Sequence, residues 1–324
     1  IAVAHNPTPF VSAYPWPSAS GFGSKFSNPG TLPGTTGSNG VAFAPGGSAI
    51  AVAHQNSPFI TAYPWSASGF GTKFSNPGTL PAGTGRGTAF SPDGAYVAVA
   101  HDNSPYVSAY PWSAGGFGAK VADAGTVPTG IGRGVAFSPS GGHLAVAHTT
   151  SPFVSAYPWS GTFGSKLSNP GTLPASTGNG VAFSRGGGAI AVAHNTSPYV
   201  SAYPWSAGFG SKFSNPGTLP GIAGAAVAFA STAIAVTHIT SPYVTAYPWD
   251  DSTGFGSKYS DPGTLPTGDC LGVAFSPASD AIAVAMINSP YVHAYGWSGG
   301  FGSKFSNPGT LPTGQGNGVA FGRI

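Results

Sequence analysis

The sequence predicts an all-β chain folded as a closed ring of seven four-stranded antiparallel blades, a β-propeller, and three observations predict it. Tryptophan recurs at Trp16, Trp65, Trp112, Trp159, Trp205, Trp249 and Trp297, at spacings of 49, 47, 47, 46, 44 and 48 residues. Around each Trp lie four short segments divided by turn residues, which is how propeller blades are written in sequence. Helical classes are excluded by composition. Seven Lys, four Arg, eight Asp, one Met and no Glu in 324 residues leave out the side chains on which surface helices rely.

Gly (51) and Pro (32) supply about a quarter of the chain, which alone would suggest a low-complexity coil. The 41% apolar and 13% aromatic residues argue instead for a core dense in turns and strands. A formal charge of +3 spread over this length forms no basic stripe, so nucleic acid is not an expected partner. Cys270 stands alone, which forbids an internal disulfide and a cysteine-based zinc site. No run approaches 18 apolar residues, so no membrane span is expected. The chain begins at Ile1 with neither an initiator Met nor a signal-like segment, and reads as a processed form or a piece of something longer.

Blade 2 shows the elements in order. Strand a (40–44) leads into strand b (49–54), where Ile50 and Val52 alternate with Ala49, Ala51 and Ala53. Strand c follows (58–65). In the next copy its alternation sets Tyr106, Ser108, Tyr110 and Trp112 on one face and Val107 and Ala109 on the other. Strand d (73–80) carries Pro77, whose missing N–H is tolerated on a sheet edge, so d is the outermost strand. Ser91 to Gly94 marks the a–b turn and Gly69 to Gly71 the c–d turn. The chain starts in a strand b (1–5) and stops just after a strand a (317–321). A single domain over 1–324 follows, with blade 1 shared between about 1–36 and 317–324 and the ring latched by the two ends.

Val-Ala-Phe-Ser-Pro-Asp/Ser-Gly followed by a Leu/Val-Ala-Val-Ala strand resembles the WD40-type propeller repeat, over essentially the whole chain. That family's Gly-His before strand a is absent here. Its Trp-Asp is spelled only at Trp249-Asp250, where other blades read Trp-Ser. More loosely, the near-identical, uncharged blades are similar to WD40-like repeat proteins of bacteriophages and environmental microbes.

The His series (His5, His54, His101, His148, His194 and His238, with Met286 in the seventh place) is expected to end strand b by bonding to nearby backbone rather than to bind a metal. Tyr63, Trp65, Phe70 and their counterparts either fill the widening gap between blades or form a repeated sugar-stacking platform. The Lys ring from Lys25 to Lys304 is expected to guard the outer edge.

Functional asymmetry is sought where the copies differ. One position just before strand a reads Asn39, Arg86, Arg133, Asn179, Ala225, Leu271 and Asn317. Two neighbouring arginines, with His101 and Asp102 in the adjacent b–c loop, would make one side of the channel mouth polar and anion-attracting. The candidate ligand-binding residues are therefore Asn39, Arg86, Arg133, Asn179, Asn317, His101 and Asp102. No catalytic residue is assigned, because the eight Asp scatter over different loops, and neither a metal nor a cofactor is expected. The reading the sequence favours is a non-catalytic structural or protein-interaction module, extracellular or on a virion surface, whose partner is another protein or a copy of itself. A multivalent glycan-binding lectin is the alternative, and a lactonase-like hydrolase comes last.

Overall fold

The computed structural model describes residues 1–322; the last two residues assigned to blade 1 lie outside them. Seven antiparallel sheets stand around a central channel as a seven-bladed β-propeller. In blade 2 the order from hub to rim is Ser38–Phe43, Ala49–His54, Ile60–Ser66 and Gly69–Phe70, the expected order of a, b and c with a short outermost pair in the place of d. Ring closure uses the chain's two ends: Ala2–His5 pairs with Val11–Ala13 on one side and with Gly316–Ala320 on the other. Among the described residues no helix is long and apolar enough to cross a membrane.

Strand d departs from its expected bounds. The Gly69–Phe70 pair, expected as a turn, pairs with Trp65 and Ser66, while the run from Lys73 to Leu80 has no ladder. That run holds strand c through Phe74 N–H to the Ala62 carbonyl (3.0 Å) before Pro77 interrupts the donors. Each Lys of the rim bonds the Asn or Asp three residues on, as Lys73 does Asn76 and Lys120 does Asp123, and so closes this segment's turn.

Blades pack large against small. Ala2, Ala4, Val11 and Ala13 of blade 1 meet Val41, Ile50, Val52, Tyr63 and Trp65 of blade 2, and the scheme repeats around the ring. Trp65 is 5% exposed, and the tryptophans stand edge-on to neighbouring rings, as Trp65 does to Phe26 and Phe70. They are interblade filling, and the sugar-stacking platform is corrected accordingly. Blades 3 and 4 show a compensated exchange. Where the outer run supplies Val121 or Leu167 instead of an aromatic, Tyr96 or His143 from the start of strand b takes the edge-on place against Trp159 or Trp205. Each blade is also tied to the one before by a buried Tyr hydroxyl, as in Tyr63 to the Thr31 carbonyl (2.7 Å) and, across the closure, Tyr14 to that of Thr310 (2.8 Å).

The b–c loops that frame one mouth are held the same way in every blade. Phe59 (φ 68°) and Tyr106 (φ 69°) sit in the left-handed region, strained for a bulky side chain. Their carbonyls accept the backbone N–H of His54 and His101 (3.0 Å each). The next blade closes onto this carbonyl: a Cβ on Gly85 would stand 2.2 Å from the Phe59 oxygen.

Candidate functional site

Strands a line the hub so closely that a Cβ on Gly87 would stand 3.0 Å from the Arg133 carbonyl. The side chains one place earlier consequently have room only at the channel mouth. There they border a cavity of about 550 Å³. Of the sequence candidates, Asn39, Arg86, Arg133, Asn179 and Asn317 line it, with Ala225 and Leu271 completing the ring. Asn6, Gln55, Asn195 and Gln315 add further amides, and Ala223 and Ile239 extend the apolar side.

Asp102 reaches the site through Arg86. Arg86 Nε donates to Asp102 Oδ1 at 2.7 Å and Nη2 to Oδ2 at 2.8 Å, a two-pronged pair within blade 3. Arg133, on the next blade, lines the cavity with no hydrogen-bond partner among the described residues. Loss of solvent within the mouth, then the like charge of Arg86, push its guanidinium below the ordinary value, with Asp102 opposing. It stays charged, as guanidinium does in proteins.

The asparagines are oriented by backbone. Nδ2 of Asn39, Asn179 and Asn317 donates to the next blade's Gly85, Gly224 and Ser38 carbonyls, each at 2.8 Å. Their amide oxygens are thereby turned from the sheet, and the Asn317 oxygen accepts from Gln315 Nε2 (2.9 Å). The mouth thus offers one cation without a hydrogen-bond partner among the described residues, a second cation paired with Asp102, and neutral amides opposite an apolar sector.

His101 does not belong to this set. It is fully buried, with Nε2 on the Ser108 hydroxyl at 2.9 Å. The other members of the series bond likewise, as His54 does Thr61 and His194 does Ser201, so a strand c hydroxyl joins the expected backbone partner, which His238 Nδ1 meets at the Thr240 carbonyl (2.7 Å). In blade 7 the polarity moves across: Met286 takes the His place and His293 that of the hydroxyl, bonding Tyr295 through Nδ1 (3.1 Å). Burial pushes these imidazoles down to about 4. Cys270 is buried too, and burial, then Asp269, push its thiol up, which removes it as a nucleophile. Among the described residues no cluster of three His, Cys, Asp or Glu could hold a metal.

Asn6, Gln55 and Asn195 were missed by sequence reasoning. They stand one place after the strand b His, the position of Asp102, and the variation from Asn6 through Gln55 and Asp102 to Ile239 was a legible signal.

No protein-family model matches the chain, and no curated protein matches it by sequence. Solved structures share its architecture. A periplasmic gluconolactonase of Pseudomonas aeruginosa is 19% identical, the match covering 97% of this chain and 96% of that one, with a TM-score of 0.70. A putative 6-phosphogluconolactonase of Bacteroides uniformis is 12% identical over 98% and 97%, with a TM-score of 0.74. Another, of Bacteroides fragilis, is 10% identical over 98% and 96%, with a TM-score of 0.78. These findings correct the ranking drawn from sequence. Full-length structural neighbours of the chain include a gluconolactonase and two putative 6-phosphogluconolactonases, which overturns the ranking of a non-enzymatic structural or interaction module first and a lectin second. The WD40 resemblance stands at the level of a seven-bladed propeller, with no family model behind it. At these identities the likeness is one of fold.

Proposed function

We propose that the chain is a hydrolase that opens a sugar lactone at the polar mouth. The observation that carries this reading is Arg133, a guanidinium that lines the mouth without a hydrogen-bond partner among the described residues and feels the charge of Asp102, which is clamped by Arg86 of the same mouth. In lactone opening, water adds to the carbonyl carbon, negative charge gathers on the carbonyl oxygen, and the ring C–O bond breaks to give a hydroxy acid. Arg133 is the donor for that oxygen. Asp102 takes the proton of the attacking water: its two oxygens each accept one bond from Arg86 and keep a further lone pair. The amide oxygens of Asn39 and Asn179 accept from ring hydroxyls, and Leu271 and Ala225 cover the carbon skeleton.

The test is proton release in weakly buffered solution with a panel of aldonolactones, corrected for spontaneous opening. We expect a saturable rate, reduced about 10²–10³-fold by Arg133→Ala and about 10²-fold or more by Asp102→Asn. A wild-type rate equal to the buffer rate across the panel, or an Arg133→Ala chain of undiminished activity, refutes the reading.

A further inference from the structure

We propose a second site, for a small neutral polyol, in the cleft between blades 3 and 4 on the face opposite the mouth; it does not depend on the lactone chemistry. A cavity of about 360 Å³ is bordered there by Asp93 and Tyr96 of blade 3 and by Trp159 and Gly161 of blade 4. Trp159 is 6% exposed, and its indole N–H is buried without a partner. A buried donor left unpaired is rare in folded proteins and calls for an explanation.

The chain itself shows what such an N–H takes. In blade 6 the corresponding Trp249 Nε1 donates to Asp251 Oδ1 at 2.7 Å, two residues on. The other Asp251 oxygen reaches across to the preceding blade, accepting from the Ser184 hydroxyl (2.9 Å) and the Gly188 N–H (3.1 Å). Two residues beyond Trp159 stands Gly161, with no side chain to offer. A Cβ there would lie 2.3 Å from the Tyr96 hydroxyl, and its φ of 88° disfavours any other residue. The position that serves Trp249 therefore supplies no acceptor for Trp159, whose N–H faces a cleft open to a ligand.

Asp93 decides what kind of acceptor. Its bonds from the Ser91 hydroxyl and the Ala95 N–H both fall on Oδ1 (2.5 and 3.0 Å), which leaves Oδ2 for a donor. These bonds hold the carboxyl below its ordinary value, so it is ionised and repels an anion. A hydroxyl can accept from an indole N–H and also donate to a carboxylate, which an anion and a cation cannot. Tyr96, edge-on to Trp159 with ring centres 5.3 Å apart, adds an apolar wall. Trp16 and Trp65 also leave the N–H unpaired, but the turn before Trp16 has Ala278 in the place of Asp93.

Calorimetric titration of the intact chain with free monosaccharides and alditols tests the site. One saturable site per chain is expected. Trp159→Phe, which removes the N–H and keeps a ring, and Asp93→Ser should each weaken binding about tenfold or more. Asp93→Ser copies blade 4, where Ser140 accepts the Gly142 N–H (3.4 Å), so the turn keeps an acceptor and this variant decides even if Trp159→Phe unfolds. Trp249→Phe should bind as the wild type does. The absence of saturable binding across the panel, undiminished binding by folded Asp93→Ser, or preferential binding of acetate at this site each overturns the proposal.

Discussion

Each blade depends on single hydrogen bonds that no hydrophobic count would reveal. Tyr110 is fully buried, and its hydroxyl donates to the Thr79 carbonyl of the preceding blade at 2.9 Å. Replacing it with Phe keeps the ring and strands that carbonyl between blades. The expected loss is about 1–2 kcal/mol of unfolding free energy, to be read from denaturant titration of Tyr110→Phe against wild type; equal midpoints and slopes would show that water serves the carbonyl instead. At this scale the sequence was partly legible. It marked Arg86, Arg133 and Asp102 as neighbours because they break a sevenfold pattern, and it put His101 with them because it is adjacent to Asp102. Strand alternation explains the miss: His101 ends strand b facing inward, and the next residue turns to the mouth. A one-residue difference in direction is invisible until the register of the bulge between Gly85 and Gly87 is known.

Among the elements, the inner strands respond to pH through buried histidines. Six imidazoles at the end of strand b, His5, His54, His101, His148, His194 and His238, and His293 on strand c of blade 7 are pushed by burial from 6.5 to about 4. Between those values the unfolded chain binds protons that the folded chain refuses, so stability is full above about pH 6.5 and falls as the solution is acidified toward 4. One fully shifted group contributes about 1.4 kcal/mol per pH unit, and seven acting together make the decline steep. Thermal melts at pH 7.5, 6, 5 and 4.5 should show a progressively lower Tm. A flat Tm across that range would mean that the ring admits water to these histidines. The strand bounds tell a similar story of partial legibility. Strands a, b and c follow from alternation and from Gly and Pro punctuation. The run from Lys73 to Leu80 is the exception: patterning between turn residues predicts a strand, whereas Pro77 and the Lys73–Asn76 bond make it a rim loop.

The whole molecule rests on closure, and the ends of the chain meet in one sheet. Val3 pairs with Val319, and Val319 packs into the cluster that joins blade 7 to blade 1. Asn317 crosses to the Ser38 carbonyl of blade 2. A chain stopped after Thr313 loses all three links, and Ala2–His5 is left with an unpaired inner edge facing the channel. Two consequences follow. Blades 7 and 1 keep the packing of Ile1, Val3 and Tyr14 and the Tyr14–Thr310 bond but lose their shared strand, so unfolding should begin at that seam and lose its single cooperative transition. The bare edge should also recruit a second copy, so the truncated chain should elute larger than the intact one on gel filtration. Adding the missing segment as a free peptide, residues 314–322, should restore the monomer and raise the melting temperature in proportion to its occupancy. A truncated chain that melts with the intact protein and stays monomeric would show that the packed faces hold the ring without the latch. Arg86 and Arg133 provide an internal check, because they lie on blades 3 and 4, away from the seam, while the peptide returns Gln315 and Asn317 to the same mouth. The lactone-opening rate should survive peptide-complemented closure unchanged.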